Sequence, residues 1–441
     1  MIKFMFMFIF MMIMFVFNKK VVYFYNFCFL MSFMFLFKYL FKDLIWISIG
    51  FYWKFDFYSF FLILLTVWIM GLMFMVIQLE ATKLKMIIFF MMLFMLIFLF
   101  SVSNLLLFYL MFEMSLIPTF MMIIYWGYNF ERLSASFYLL MYTMFISLPL
   151  LIYLMKLFKI SMTYEIDLLK MINFINLSFF DYFVIIMAFL IKMPIYIFHI
   201  WLPKAHVEAP VYGSMILASI LLKLGSYGLI RFIEIFYVKS MEMSYMIISV
   251  GIVGSLFISL VCLIQVDMKS LVAYSSVVHM NMMLCSVFSM TKLGFISAYI
   301  LMISHGLCSS GLFFLVNMYY ERSMSRLMFF NKGMLSVYPS LSMWWLIYCA
   351  MNFSFPLSLN FISEIYMISV ILSWDIVLMV YLMMICFFSS AYSLYLYSYI
   401  QHGSMYMEKK KMSVIYMKDY LILILHFVPL FFLIFNLSML Y

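Results

Sequence analysis

Six ionisable residues stand inside apolar runs that offer no easy route to water. They are Glu113 in LLLFYLMFEMSLIPTF, Lys192 in FLIKMPIYIF, Lys223 in SILLKLGSYG, His279 in SLVAYSSVVHMNMML, His305 in YILMISHGLCSSGLFF and Glu364 in NFISEIYMIS. A charge centred in a bilayer costs about 2.5–3.5 kcal/mol on insertion scales, so such residues are retained for pairing, for a hydrated pathway or for catalysis. The chemistry that these types share is proton exchange, with imidazole the cheapest carrier near neutral pH.

Each residue also has a plainer reading. Glu113 and Lys192 could form a structural ion pair between two helices, which is weak evidence for stability. Lys223 could snorkel, but the next charge, Arg231, lies about 12 Å further along a helix, beyond a lysine's reach. His279 has Ser275 and Ser276 nearby, and His305 has Ser304 and Ser309, so both could be hydrogen-bonded packing residues. Glu364 could bond a helix end exposed beyond Pro356. His199, His402 and His426 make weaker cases, and His206, between Lys204 and Glu208, reads as part of a solvated loop.

These residues must be carried by elements that live in lipid. The 441-residue chain is 69% hydrophobic and 10% charged, whereas a soluble domain is nearer 45–50% apolar and about 25% charged. Its surface must therefore be apolar as well as its core. The net charge of +9 does not indicate a nucleic-acid partner. The basic residues lie in gaps between apolar runs, as at Lys19-Lys20, Lys83/Lys85 and Lys409-Lys410-Lys411, where they anchor helices at interfaces and set topology.

Apolar runs long enough to span a bilayer predict an all-α polytopic membrane protein of about 14 transmembrane helices. The candidates are 2–18, 21–41, 56–80, 86–101, 104–126, 132–156, 181–202, 208–231, 243–265, 270–290, 293–319, 334–372, 374–400 and 418–440. The N-terminal MIKFMFMFIFMMIMFVFNKK lacks a small-residue cleavage site and reads as a first membrane helix. The division of 86–126 falls near Ser101–Asn104, and no period-two barrel pattern is present.

Two runs are interrupted. One breaks at Pro194. The other, 334–372, is too long for one span and carries Asn352, Ser354, Pro356, Ser358 and Asn360 at membrane depth. Irregular backbone is tolerated there where it lines a cavity or is buried in protein. A pair of such breaks in two halves points to inverted repeats around an ion site.

Other chemistry finds no support. The six cysteines are scattered singly with no CxxC, and no dinucleotide or P-loop motif or metal-ligand spacing is present. The usage of Phe (55), Met (51) and Tyr (34) with four arginines fits an A/T-rich mitochondrial gene read with AUA as methionine.

The stretch IKMPIYIFHIWLPKAHVEAPVYGSMILASILLKLGSYGLIR, with FEMSLIPTF, DMKSLVAYSSVVHMN and ISHGLCSSGLFFLVNMYYER, resembles the antiporter-like membrane subunits of NADH–ubiquinone oxidoreductase (respiratory complex I), relatives of Mrp-type cation/proton antiporters. The resemblance covers about 110–370; the first hundred residues are similar only in composition and length. The glutamate of FISE matches the chain 4 group, where the chain 2 and chain 5 groups carry lysine. GSY at Gly225–Tyr227 and the two valines of SVVH depart from common relatives without removing an ionisable residue.

The resemblance implies two inverted five-helix repeats, each with a broken helix: 1–85 N-terminal helices, 86–231 first repeat, 243–400 second repeat and 401–441 a loop and last helix. It implies a proton relay in which Glu113 and Lys192 are the acid–base pair, Lys223 the central station, His279 and His305 its continuation and Glu364 the exit-side group. Asp267 and Lys269 match a motif at a helix start. No cofactor is expected in this chain, with NADH, FMN, iron–sulfur clusters and ubiquinone held by other subunits. Expected partners are chains 2 and 5, accessory subunits and lipid, in the mitochondrial inner membrane. A stand-alone cation/proton antiporter and a structural scaffold are the competing functions.

Overall fold

The computed structural model describes residues 21–39, 53–77, 82–171, 178–404 and 414–440, with Met7, Phe10 and Met11 besides. The described residues are helical nearly throughout, and the only β pairing among them is three isolated bridges. Ten of these helices are long and apolar enough to cross a membrane, or up to eleven if one bent pair counts as a single span.

Among the described residues not all of the expected fourteen are found as full spans, for identifiable reasons. The ten match ten of the candidates, including the division at 101–104, where Lys83–Ser101 ends and Leu105–Trp126 begins. Of the other four, 2–18 (apart from Met7, Phe10 and Met11) and the lysines at 19–20 lie outside the described residues, as do Lys409–Lys411. The run 21–41 is an apolar helix described over Val21–Tyr39. The remaining two, 181–202 and 334–372, are broken into pieces each shorter than a bilayer.

The chain divides into two compact units, one of residues 1–189 and 227–239, the other of 190–226 and 240–441. The first unit is held by aromatic packing. Phe24 meets Phe90 edge-on at 5.1 Å, and Phe108, Phe112, Phe189 and Tyr227 form a further cluster. Gly71 lets the Val21–Tyr39 and Phe57–Val76 helices approach, since a Cβ there would lie 3.2 Å from Cys28 and Phe29. Ahead of the Phe57–Val76 helix, Asp56 meets Arg231 at 2.5 Å and Lys54 at 3.4 Å. Lys54 in turn meets Asp167 at 2.5 Å. Burial alone would lift the Asp56 carboxyl, but the Arg231 and Lys54 charges outweigh it and hold it below the usual carboxylate range.

The second unit is organised around the Lys292–Ser323 helix, which packs against Met268–Phe288, Leu359–Trp374, Pro339–Asn352 and Met417–Phe435. Its middle, SHGLCSSG, is built of small residues, so neighbouring helices approach closely. A Cβ on Gly311 would come within 2.4 Å of Tyr348 Cε1, and Tyr348 fills that space and donates its hydroxyl to Leu423 O at 2.7 Å. The helix is buried along its whole apolar window, although it carries a histidine. Helices such as Ile376–Gln401 and Met417–Phe435 instead leave apolar side chains, among them Val380, Phe387 and Phe432, exposed.

Candidate functional site, a buried line of titratable side chains

Both predicted breaks are present, and the backbone chemistry of each explains how it is tolerated. The Phe179–Lys192 helix stops at Met193–Pro194, a short 3₁₀ turn follows at Tyr196–Phe198, and helix resumes at Trp201–Glu208. Pro194 has no N–H to give Leu190 O, so Ile195 N donates there instead, at 3.1 Å. That shift releases Ile191 O, which accepts the Trp201 indole N–H at 3.1 Å. The indole thus satisfies at membrane depth a carbonyl that the proline orphaned. Lys192 is the last residue before this break, and it is buried.

At the second break, Ser354 (φ 61°) and Leu357 (φ 71°) turn the chain on either side of Pro356 in left-handed conformations. Asn360 Nδ2 donates to Met351 O at 2.8 Å, tying the two half-helices together. Ser358 accepts from Phe361 N and caps the Leu359–Trp374 helix. The helix end is therefore served by Ser358. Glu364, a turn and a half further on, faces His279, with Oε1 3.4 Å from Nδ1.

Lys223 owes its position to a local irregularity. Five residues, Leu217–Leu221, form a π-helical turn inside the Val211–Ile235 span, where Leu222 N reaches back to Leu217 O. In the widened turn the Ala218 carbonyl accepts from Lys223 Nζ at 2.6 Å. The ammonium also lies 2.9 Å from His305 Nδ1. Lys223 is 0% exposed, so it does not snorkel.

The line then continues. The His305 and His279 rings sit with centroids 5.6 Å apart, inclined at 49°. His279 and Glu364 close it, beside a cavity of about 20 Å³ also lined by Met282, Cys386 and Ser389. That is room for one water. The Glu364 side chain is 20% exposed, the first in this line to reach the unit's surface. The order is Lys223, His305, His279, Glu364, so the histidine later in sequence comes first in space.

The serines near the histidines do not hold them. Ser275, Ser276, Ser304 and Ser309 each donate to a carbonyl of their own helix. The alternative in which they tether the imidazoles is not what is found, because a helical serine finds its i−3 or i−4 carbonyl first.

Lys192 also belongs to the second unit. A Cβ on Gly225 would lie 3.1 Å from Lys192 Cβ and 2.8 Å from Met193 Cγ. The bare backbone two residues beyond Lys223 is therefore what lets the first break pack there. Glu113 belongs to the first unit, at the end of the Leu105–Met114 helix. Both its carboxylate oxygens are buried and lack a hydrogen-bond partner among the described residues.

Two further readings change. His206 is 1% exposed and stacks on Phe313 with centroids 4.8 Å apart at 4°, so the solvated-loop assignment is wrong. The segment WLPKAHVE is the second half of a broken helix, and Ala205, His206 and Glu208 face inward. Lys269 is fully buried and donates to Ala209 O at 3.0 Å. Arg326 donates to Val207 O at 2.5 Å and approaches Glu208 at 3.9 Å. Two cations thus complement the carbonyl end of one short helix.

Among the described residues no group of three or more His, Cys, Asp or Glu side chains forms a metal site. The arrangement can move protons. Between Lys223 and His305 one nitrogen must offer a lone pair and the other a proton, and either sense of transfer fits the same geometry.

Comparison with known proteins places this chain in a family. Residues 102–391 match the NADH:quinone oxidoreductase/Mrp antiporter transmembrane family. Residues 1–83 match the amino terminus of NADH-ubiquinone oxidoreductase chain 4, so the N-terminal likeness goes beyond composition and length. The chain is 42% identical over 415 residues to NADH-ubiquinone oxidoreductase chain 4 of Locusta migratoria, covering 93% of this chain and 91% of the other. It is 49% identical over 322 residues to that of Aedes aegypti, covering 73% and 72%.

In fold it is similar to a chain of respiratory complex I from Thermus thermophilus with bound NADH (TM-score 0.82, 21% identity, 92% of this chain and 89% of that one). A chain of the Mrp complex from Dietzia sp. DQ12-45-1b is also similar (TM-score 0.75, 16% identity, 80% and 68%). The buried basic and acidic side chains, the two broken helices and the identity along most of the sequence agree, and the chain belongs to the NADH-ubiquinone oxidoreductase chain 4 family of antiporter-like membrane proteins.

Proposed function

We propose that this chain translocates protons as a membrane-arm subunit of NADH–ubiquinone oxidoreductase. The observation that carries the reading is the line Lys223–His305–His279–Glu364, built on buried helices and ending at a partly exposed carboxylate. Four groups that each cost free energy to bury, placed at successive contacts, make a proton path rather than four independent structural accidents. Glu113 and Lys192 act as the acid–base pair that loads it, as the family resemblance implies. When Glu113 is close its charge holds a proton on Lys192, and when it moves away the proton is released toward Lys223.

Electron transfer from NADH to ubiquinone takes place in other subunits, which hold NADH, FMN, the iron–sulfur clusters and ubiquinone. The neighbours in the assembly are the antiporter-like chains 2 and 5 and accessory subunits, and the setting is the mitochondrial inner membrane. The organisation into repeats at 86–231 and 243–400 is part of this proposal. The match of residues 1–83 to a chain 4 model favours this reading over a stand-alone antiporter.

The test is Lys223→Met in the assembled complex, reconstituted in vesicles and supplied with NADH. Acidification of the lumen per NADH oxidised is expected to fall while the complex still assembles. An assembled variant that pumps at the wild-type ratio overturns the relay and leaves the scaffold reading. Sodium-dependent proton flux by the chain alone would establish the antiporter.

A further inference from the structure

The last step of the line has no direct hydrogen bond. Glu364 Oε1 stands 3.4 Å from His279 Nδ1, beyond the limit of roughly 3.2 Å for an N–H···O bond. The two side chains instead share a cavity of about 20 Å³, enough for one water. Most of its lining is aliphatic carbon and sulfur, from residues such as Val278, Met282, Ile385 and Cys386. The exception is Ser389, which is buried on the Met379–Gln401 helix. Its hydroxyl is the strongest hydrogen-bonding group in the lining besides the His279–Glu364 pair itself. The hydroxyl proton is already committed, since Ser389 Oγ donates to Cys386 O at 2.8 Å. What the oxygen can offer the cavity is therefore a lone pair.

We propose that Ser389 is a positioning residue that holds a water between His279 and Glu364, and that the proton crosses the last step through this water. The water donates one proton to the Ser389 oxygen and the other to the Glu364 carboxylate, and it accepts from His279 Nδ1. A set of about three bonds is the usual complement of a buried water. In the transfer a charged His279 gives its Nδ1 proton to the water, and the water gives the carboxylate the proton it already aims there. His279 is left neutral, Glu364 becomes the uncharged acid, the water is regenerated and no electrons move. Ser389 gains and loses no proton. By occupying one water proton it fixes the other on Glu364.

The proposal rests on the relay reading, so the experiment separates the two. Complexes carrying Ser389→Val, Ser389→Thr or Glu364→Gln are reconstituted in vesicles, and protons pumped per NADH oxidised are measured. Valine and threonine have the same shape and differ by the hydroxyl, so packing changes are common to both. The expected result is that Ser389→Val pumps at no more than about a third of the wild-type ratio and Ser389→Thr at no less than about twice the valine value, as for a lost and a restored proton-transfer step. A Ser389→Val complex above that level, or a threonine complex no better than valine, overturns the role of the hydroxyl while Glu364→Gln still fails to pump. If Glu364→Gln pumps normally, the relay reading fails and this proposal with it. Should Ser389→Val not assemble, Ser389→Ala takes its place under the same two ratios. If neither assembles, Ser389 is a structural requirement and the proposal is rejected.

Discussion

The Lys223 ammonium lies 2.9 Å from Nδ1 of His305, although 82 residues separate them in sequence. The contact needs the π turn at Leu217–Leu221, which widens the helix just before the lysine. Deleting Ile220 should restore a regular α-helix and rotate Lys223 by about 100° relative to the residues before the turn. Pumping per NADH should then fall about as far as in Lys223→Met. A deletion complex that pumps normally would show that the π turn has no part in placing the lysine.

Glu113→Ala and Lys192→Ala should each abolish coupled pumping with assembly retained. The measurement is proton uptake by vesicles alongside NADH oxidation. Wild-type pumping in either assembled variant would remove that residue from the relay.

Glu364→Gln keeps the shape of the side chain but cannot cycle between charged and neutral forms, and His279 loses the ion pair it makes when protonated. Pumping should drop by about tenfold or more, in keeping with the loss of a proton-transfer group. Glu364→Asp should recover part of it. If Gln and Glu behave alike in vesicle acidification, the carboxylate is not a proton station.

Gly225→Ala should destabilise the second unit by about 1–3 kcal/mol, as overpacking does. The new methyl would lie 2.8 Å from Met193 Cγ, which can move, and 3.1 Å from Met193 N, which is backbone and cannot easily do so. A lower melting temperature of the assembled complex, or lower assembly yield, is the expected readout. An unchanged melting temperature would mean that the break beside Lys192 has slack.

The Asp56 cluster should make part of the stability pH-dependent. The carboxyl is held below its ordinary range, so the folded state favours its charged form. That contribution is present above the unfolded carboxylate pKa and is lost as pH falls through the lower folded value. Asp56→Asn should therefore melt below wild type near neutral pH, and the gap should close on acidification. A gap that is constant with pH would assign the effect to packing.

The lipid-embedded, all-helical character was legible because it follows from composition and run length alone. Burying apolar surface in lipid needs only enough consecutive apolar residues, so ten of the candidate spans fall where the runs predict. The breaks were equally legible. Pro194 and Pro356 remove backbone donors wherever they stand, and side chains near each break, Trp201 and Asn360, donate to backbone carbonyls there. Even the candidate site residues could be picked out singly, because a charge in an apolar run is conspicuous without any fold.

The relations between them required the tertiary structure. No residue type marks Leu217–Leu221 as a π turn, so the placement of Lys223 on Ala218 O was invisible. The order His305 before His279 depends on how two helices cross. The burial of His206 depends on Phe313, more than a hundred residues away, packing over a segment that looks polar by itself. Composition and local chemistry settle what each residue costs to bury. Only side-chain packing between distant helices decides which of them meet, because that energy comes from contacts that have no fixed sequence spacing.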